Sequence, residues 1–127
     1  MPVVRRVFKT RHFVRWQRKT DLTDNALCLA IKEMEQGLID AELGGGLLKK
    51  RVALPGRGKS GSARTLIATN RSDRWYFVFG FEKSERENID AVDLKALKNY
   101  AHVLLGLSQS ELISFLSNGS LQEICHG

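Results

Sequence analysis

From Leu47 to Lys83 the chain changes its hydrophobic period, and that change limits the folds open to it. Leu47–Leu54, Ser62–Thr69 and Arg74–Lys83 are rich in Val, Ile, Thr and aromatic residues, and turn-forming Pro55-Gly56-Arg57-Gly58 and Asn70-Arg71-Ser72-Asp73 separate them. Short β-prone runs with hairpin-length breaks predict three consecutive strands in an antiparallel meander. In the last strand Trp75, Phe77, Phe79 and Phe81 alternate, which assigns them to one core face and leaves Tyr76 and Val78 on the other.

Helical spacing flanks this region. Val3 to Lys9 alternates as a short strand, and Arg11 to Lys19 follows as a basic helix with Phe13 and Trp16 on one side. Thr23 is placed as an N-cap, with Leu22 and Leu27 as a hydrophobic staple, and Leu27, Ala30, Ile31 and Met34 form a buried stripe that stops at Gly37. Beyond the strands come Leu94, Leu97, Ala101, Leu104 and Leu105, after Asp90 and Asp93 at the positive end of the helix dipole. Ser108-Gln109-Ser110-Glu111 reads as a capping box for a last short helix ending near Asn118-Gly119. The expected fold is α+β, a single domain over residues 1–127. It pairs a twisted antiparallel sheet, made of the N-terminal strand and the meander, with two N-terminal helices and C-terminal helices packed on one face.

Charge is more informative than its sum. The formal net charge is +6, yet residues 1–20 hold seven Lys or Arg and no acid. A second acid-free stretch between Glu42 and Asp73 holds another seven, whereas residues 75–127 carry seven acids and four bases. A polyanion is the natural partner for such a distribution. No apolar stretch near the start or elsewhere has the length of a signal or a membrane span, so a soluble protein with no membrane association is expected. Only Cys28 and Cys125 are present; they make neither a disulfide framework nor a zinc site, and a reducing cytosol is the expected compartment.

Several chemistries lack their residues. Gly58-Lys59-Ser60 resembles the end of a phosphate-cradling loop, but the glycine required five positions earlier is Ala53. His12, His102 and His126 have no metal-ligand spacing and are read as structural or surface residues; no metal or other cofactor is expected. No Gly-x-Ser-x-Gly elbow exists, and Cys28 sits on a helix core position. What remains is a set of cations on adjacent strands and a glycine-rich loop, such that Lys49 or Lys50, Arg51, Lys59, Arg64 and Lys83 could converge on one phosphate.

Gly44-Gly45-Gly46-Leu47-Leu48-Lys49-Lys50-Arg51, then Gly56-Arg57-Gly58-Lys59-Ser60-Gly61 with Arg64 three positions on, then Gly80-Phe81-Glu82-Lys83 before Asn88-Ile89, resemble the RelE/ParE toxin superfamily, on the branch near the HigB-like toxins. The likeness runs over roughly residues 3 to 117 and is most specific from 44 to 89. It implies a RelE-like fold and the toxin of a type II toxin-antitoxin system: a ribosome-dependent mRNA endonuclease held in check by a cognate antitoxin of helix-turn-helix type. Operator DNA would be met only through the toxin-antitoxin complex.

In-line cleavage by a 2′-hydroxyl needs charge stabilised on the phosphoryl oxygens and two proton transfers. Arg51 and Arg64 are the candidates for charge stabilisation, with Lys59 or Lys83 nearest the proton transfers and Lys49, Lys50 and Arg57 as further RNA contacts. Some ribonuclease members carry a tyrosine or histidine just past the last strand, where this chain has Asn88-Ile89, so the resemblance leaves the acid and base unassigned. Alternatives are a non-catalytic inhibitor of DNA gyrase, as in the other branch of the superfamily, and a plain nucleic-acid-binding module.

Overall fold

The computed structural model describes residues 4–54, 62–83, 85 and 88–126. In chain order the elements are β1 (Arg6–Thr10), α1 (Arg11–Gln17), α2 (Asp24–Glu35), β2 (Ala41–Gly44), β3 (Leu47–Val52), β4 (Ala63–Thr69), β5 (Arg74–Glu82), α3 (Ala91–Leu105), α4 (Gln109–Ser117) and β6 (Leu121–Ile124). The α+β class and the β3-β4-β5 meander are as expected from sequence. The helix starts are too: Thr23 Oγ1 accepts from Ala26 N at 3.2 Å, and both halves of the Ser108–Glu111 capping box form.

One six-stranded sheet runs in the order β2-β3-β4-β5-β1-β6. It is mixed, because β1 lies parallel to β5, with Arg6 opposite Arg74 and Lys9 opposite Phe77. A parallel neighbour needs a long crossover, and everything between Thr10 and Arg74 supplies it. Two strands were not anticipated. β2 turns into β3 through Gly45 and Gly46, both at positive φ (63° and 83°), as a two-residue hairpin of the sheet's twist requires. β6 is four residues long and pairs only with β1, from Thr10 opposite Leu121 to Val7 opposite Ile124.

Helices cover both faces of the sheet, not one. Phe13 of α1 and Leu27, Ile31 and Met34 of α2 pack on Leu48, Ile67, Trp75 and Phe77; Ala101 and Leu104 of α3 and Leu112 of α4 pack on Leu47, Leu66, Ala68, Tyr76 and Val78. β4 explains this: Leu66, Ile67 and Ala68 are all fully buried, and an uninterrupted apolar run has no polar side to show to water. The aromatic row of β5 also divides. Leu66 pairs with Phe79 but Ile67 with Phe77, so the register slips by one residue and Val78 is bulged out of the pairing. Trp75 and Phe77 therefore face α1 and α2, whereas Phe79 joins the cluster under α3.

Cys28 of α2 and Cys125, one residue past β6, are joined in a disulfide, contrary to the expectation from sequence that the two cysteines make no disulfide framework. The partners are 97 residues apart and meet only because β6 returns along β1, so no local pattern announces them.

Candidate active site

Arg51 on β3 stands directly opposite Arg64 on β4, and Arg64 opposite Phe81 on β5. Opposed residues share a face of the sheet, and alternation links this one to Leu47, Leu66 and Ala68 beneath α3. Lys49, opposite Leu66, is on it too. The deeply buried residues of α3 are Ala101 and Leu104, near its C-terminal end. At the other end of the same strands Arg51 is exposed and Arg64 half-buried.

The hydrogen bonds of this pair involve the backbone. Arg64 donates from Nη1 to Ser62 O at 3.0 Å, and the backbone N–H of Arg51 donates to Asp40 Oδ2 at 2.7 Å. Among the described residues neither guanidinium forms a salt bridge with a carboxylate. Cross-strand neighbours sit about 5 Å apart at Cβ, and like charges there repel. An anion held between two planar guanidinium forks would relieve that repulsion and take hydrogen bonds from both.

The remaining predicted residues separate. Lys50 points to the opposite face with Thr65, where its Nζ donates to Leu38 O at 2.9 Å and meets Glu33 Oε1 of α2 at 3.1 Å. It is buried and ties α2 to the sheet, so it does not join Arg51 and Arg64. Lys83 is exposed one residue past β5, at the same end of the sheet as Arg64. Arg57 and Lys59 lie outside the described residues.

Helix α1 completes this end. β1 pairs with β5 only as far as Phe77, and α1 runs beside the rest of the strand. Gly80 makes the approach possible: a Cβ there would lie 2.3 Å from the Trp16 ring. Trp16 Nε1 in turn donates to Glu85 Oε1 at 3.0 Å, an oxygen that also accepts from Glu82 N at 2.9 Å. Between α1 and β5 a cleft of about 410 Å³ is lined by His12, Arg15, Trp16, Lys19, Phe79 and Phe81 among others. On the far side of His12 and Phe79 a second, of about 370 Å³, opens towards Leu97 and Tyr100 of α3. Burial pushes the Tyr100 phenol above its ordinary range, with Arg11 opposing. The His12 ring is stacked on Phe79, centroids 5.5 Å apart and planes 8° from parallel. From sequence His12 is read as a structural or surface residue, and it is exposed; its stacking on Phe79 was not anticipated. Among the described residues no group of three or more His, Cys, Asp or Glu converges as metal ligands would.

Residues 5–124 match the family model described as RelE toxin of the RelE/RelB toxin-antitoxin system. The chain belongs to the RelE toxin family. The sheet, with its parallel β1–β5 pair and helices on both sides, is consistent with the RelE-like fold, and membership makes this protein the toxin of a toxin-antitoxin pair, with an antitoxin as partner. No curated protein matches it significantly. In this RelE toxin the glycines before Lys49 serve packing: a Cβ on Gly46 would lie 2.9 Å from Leu105 Cδ1 of α3, and one on Gly45 3.1 Å from Lys98 Cγ. Among the described residues no helix is long and apolar enough to cross a membrane.

Proposed function

We propose that this RelE toxin is a ribosome-dependent mRNA endonuclease of the HigB-like branch, acting in the cytoplasm and neutralised by an antitoxin of helix-turn-helix type. The observation that carries the reading is the Arg51–Arg64 pair, opposed on neighbouring strands without a carboxylate partner among the described residues. Its two guanidinium groups would clamp the non-bridging oxygens of the scissile phosphate and stabilise the charge that builds there. The 2′-hydroxyl oxygen would attack phosphorus and pass its proton to the amine of one lysine, Lys83 or Lys59, while the P–O5′ bond breaks and the ammonium of the other lysine gives a proton to the leaving oxygen, so that the products are a 2′,3′-cyclic phosphate and a 5′-hydroxyl. Lys49 and Arg57 would hold neighbouring phosphates. The antitoxin would present acidic and apolar residues to this surface, and the joint complex would carry operator binding through the antitoxin.

Translation of a defined message with purified protein tests the reading. The expected result is cleavage only on translating ribosomes, with cyclic-phosphate ends, and none of naked message. Intact message with halted supercoiling would replace it by the gyrase reading, and harmless overexpression by that of a plain nucleic-acid-binding module.

A further inference from the structure

We propose that the cleft between α1 and the C-terminal half of β5 is a subsite for one nucleotide of single-stranded RNA. His12 would be its stacking platform, and Arg15 and Lys19 its phosphate contacts. The proposal rests on the ribonuclease reading for what lies next door, the scissile phosphate on Arg51 and Arg64.

Three observations bear on it. The cleft has a fixed aromatic lining: Trp16 is pressed onto Gly80 and tied through Nε1 to Glu85, and Phe81 is buried. His12, by contrast, is exposed and stacks one ring face on Phe79. Its imidazole is thus held flat without being covered, as a stacking surface must be. Second, Arg15, three residues on from His12 in α1, and Lys19, two residues past the helix, line the same cleft. Both cations are exposed, and among the described residues neither side chain has a hydrogen bond or salt bridge. A ring flanked by free cations matches the alternation of base and phosphate in a single strand. Third, the cleft and the arginine pair share Phe81 as a neighbour. Phe79 and Phe81 are 6.1 Å apart, and Phe81 is opposite Arg64, a step that one nucleotide covers. At about 410 Å³ the cleft falls within the roughly 300–1,000 Å³ of small-ligand sites. An acidic peptide would use the cations but leave the rings idle, which favours RNA as the occupant.

The test is binding of an uncleavable 2′-O-methyl hexanucleotide to the full-length toxin by fluorescence anisotropy over a range of salt. His12→Ala should weaken binding about 5- to 100-fold, the loss expected for one stacked base, while His12→Phe, which keeps a ring, should bind nearly as the unmodified protein does. Arg15→Gln with Lys19→Gln should flatten the salt dependence by about 1.4 in logarithmic slope, two single-strand phosphate contacts. Thermal unfolding of each variant separates a lost contact from a lost fold. Affinity and slope unchanged in folded variants would overturn the subsite, as would variants that lose antitoxin binding while keeping RNA affinity. Failure of the neighbouring reading is distinguishable: message left uncut by the unmodified protein, with His12-dependent binding intact, removes the nuclease and not the RNA cleft.

Discussion

Lys50 and Arg51 are adjacent on β3 and have opposite fates. On the face of α1 and α2 cations are neutralised: Lys50 meets Glu33, and Lys9, almost wholly buried, donates to Asp24 Oδ1 and Gln17 Oε1 at 2.8 Å each. On the other face Arg51 and Arg64 are set opposite one another with no salt bridge among the described residues. A folded chain gains from pairing its buried charges and gains nothing from leaving like charges side by side. One face of the strand therefore pairs its cations for stability, whereas at the end of the other two cations stand opposed with no carboxylate salt bridge among the described residues, which suits the anion proposed above.

The largest expected effect falls on the stabilising side. Cys28 and Cys125 both pack against the α1/α2 core, and their bond closes a loop of 97 residues. Removing a disulfide of that span costs about 2–5 kcal/mol. Cys28→Ala, or reduction by a dithiol, should lower the unfolding midpoint accordingly and leave cleavage per folded molecule unchanged. A stable variant with lost activity would mean that the two faces are not separable in this way.

Arg64→Ala should do the converse. Losing one preorganised charge typically costs about 100- to 1000-fold in rate, whereas a half-exposed Arg contributes within about 0.5 kcal/mol to stability. Arg64→Lys keeps the charge but not the planar fork, and should fall well short of the unmodified toxin. Growth arrest on induction, read beside thermal unfolding and antitoxin binding, decides it: full toxicity of a folded Arg64→Ala protein would refute the arginine-pair site.

Lys50 comes next. Breaking a buried ion pair costs about 3–5 kcal/mol, but Glu33 is 41% exposed, so Lys50→Met should cost about 1–3 kcal/mol with message cleavage retained. Loss of cleavage in a folded Lys50→Met protein would return Lys50 to the RNA site.

That Lys50 and Arg51 were grouped together from sequence shows where such reading stops. Local signals were legible: the caps at Thr23 and Ser108, the Leu27–Met34 stripe, and three strand positions accurate to within about two residues at either end. Strand parity was legible in principle, yet separating Lys50 from Arg51 also needs to know that helices cover both faces. The bulge at Val78, the parallel β1–β5 pair, β6 and the Cys28–Cys125 bond all depend on which distant segments meet. Composition and period two do not encode that. The His12–Phe79 stack was unanticipated for the same reason, since Phe79 is reached only when α1 lies beside β5.

The smallest effect tests whether the neutralised cations stabilise in the way their pairing indicates. On the β1–β6 edge Arg6 donates from Nε and Nη2 to the two oxygens of Glu123, both at 2.9 Å, and lies over the Phe8 ring at 5.2 Å. The Arg6 hydrogen bonds hold the Glu123 carboxyl below its ordinary range against the opposing effect of burial. A carboxyl depressed in the folded state binds its proton less readily there than in the unfolded chain. Its contribution is therefore complete above the unfolded value, about 4.3, and is lost as pH falls through the lower folded value. Both partners are partly exposed, 31% and 24%, which keeps the pair near the upper end of surface salt bridges, about 0.5–1 kcal/mol. Glu123→Gln should thus lower stability by that amount at pH 7, converge with the unmodified protein near pH 3, and leave toxicity intact. Parallel stability curves from pH 7 to pH 3 would show that the Arg6–Glu123 pair contributes nothing through its charge, and that this edge is held by strand pairing and the Phe8–Tyr76 stack alone.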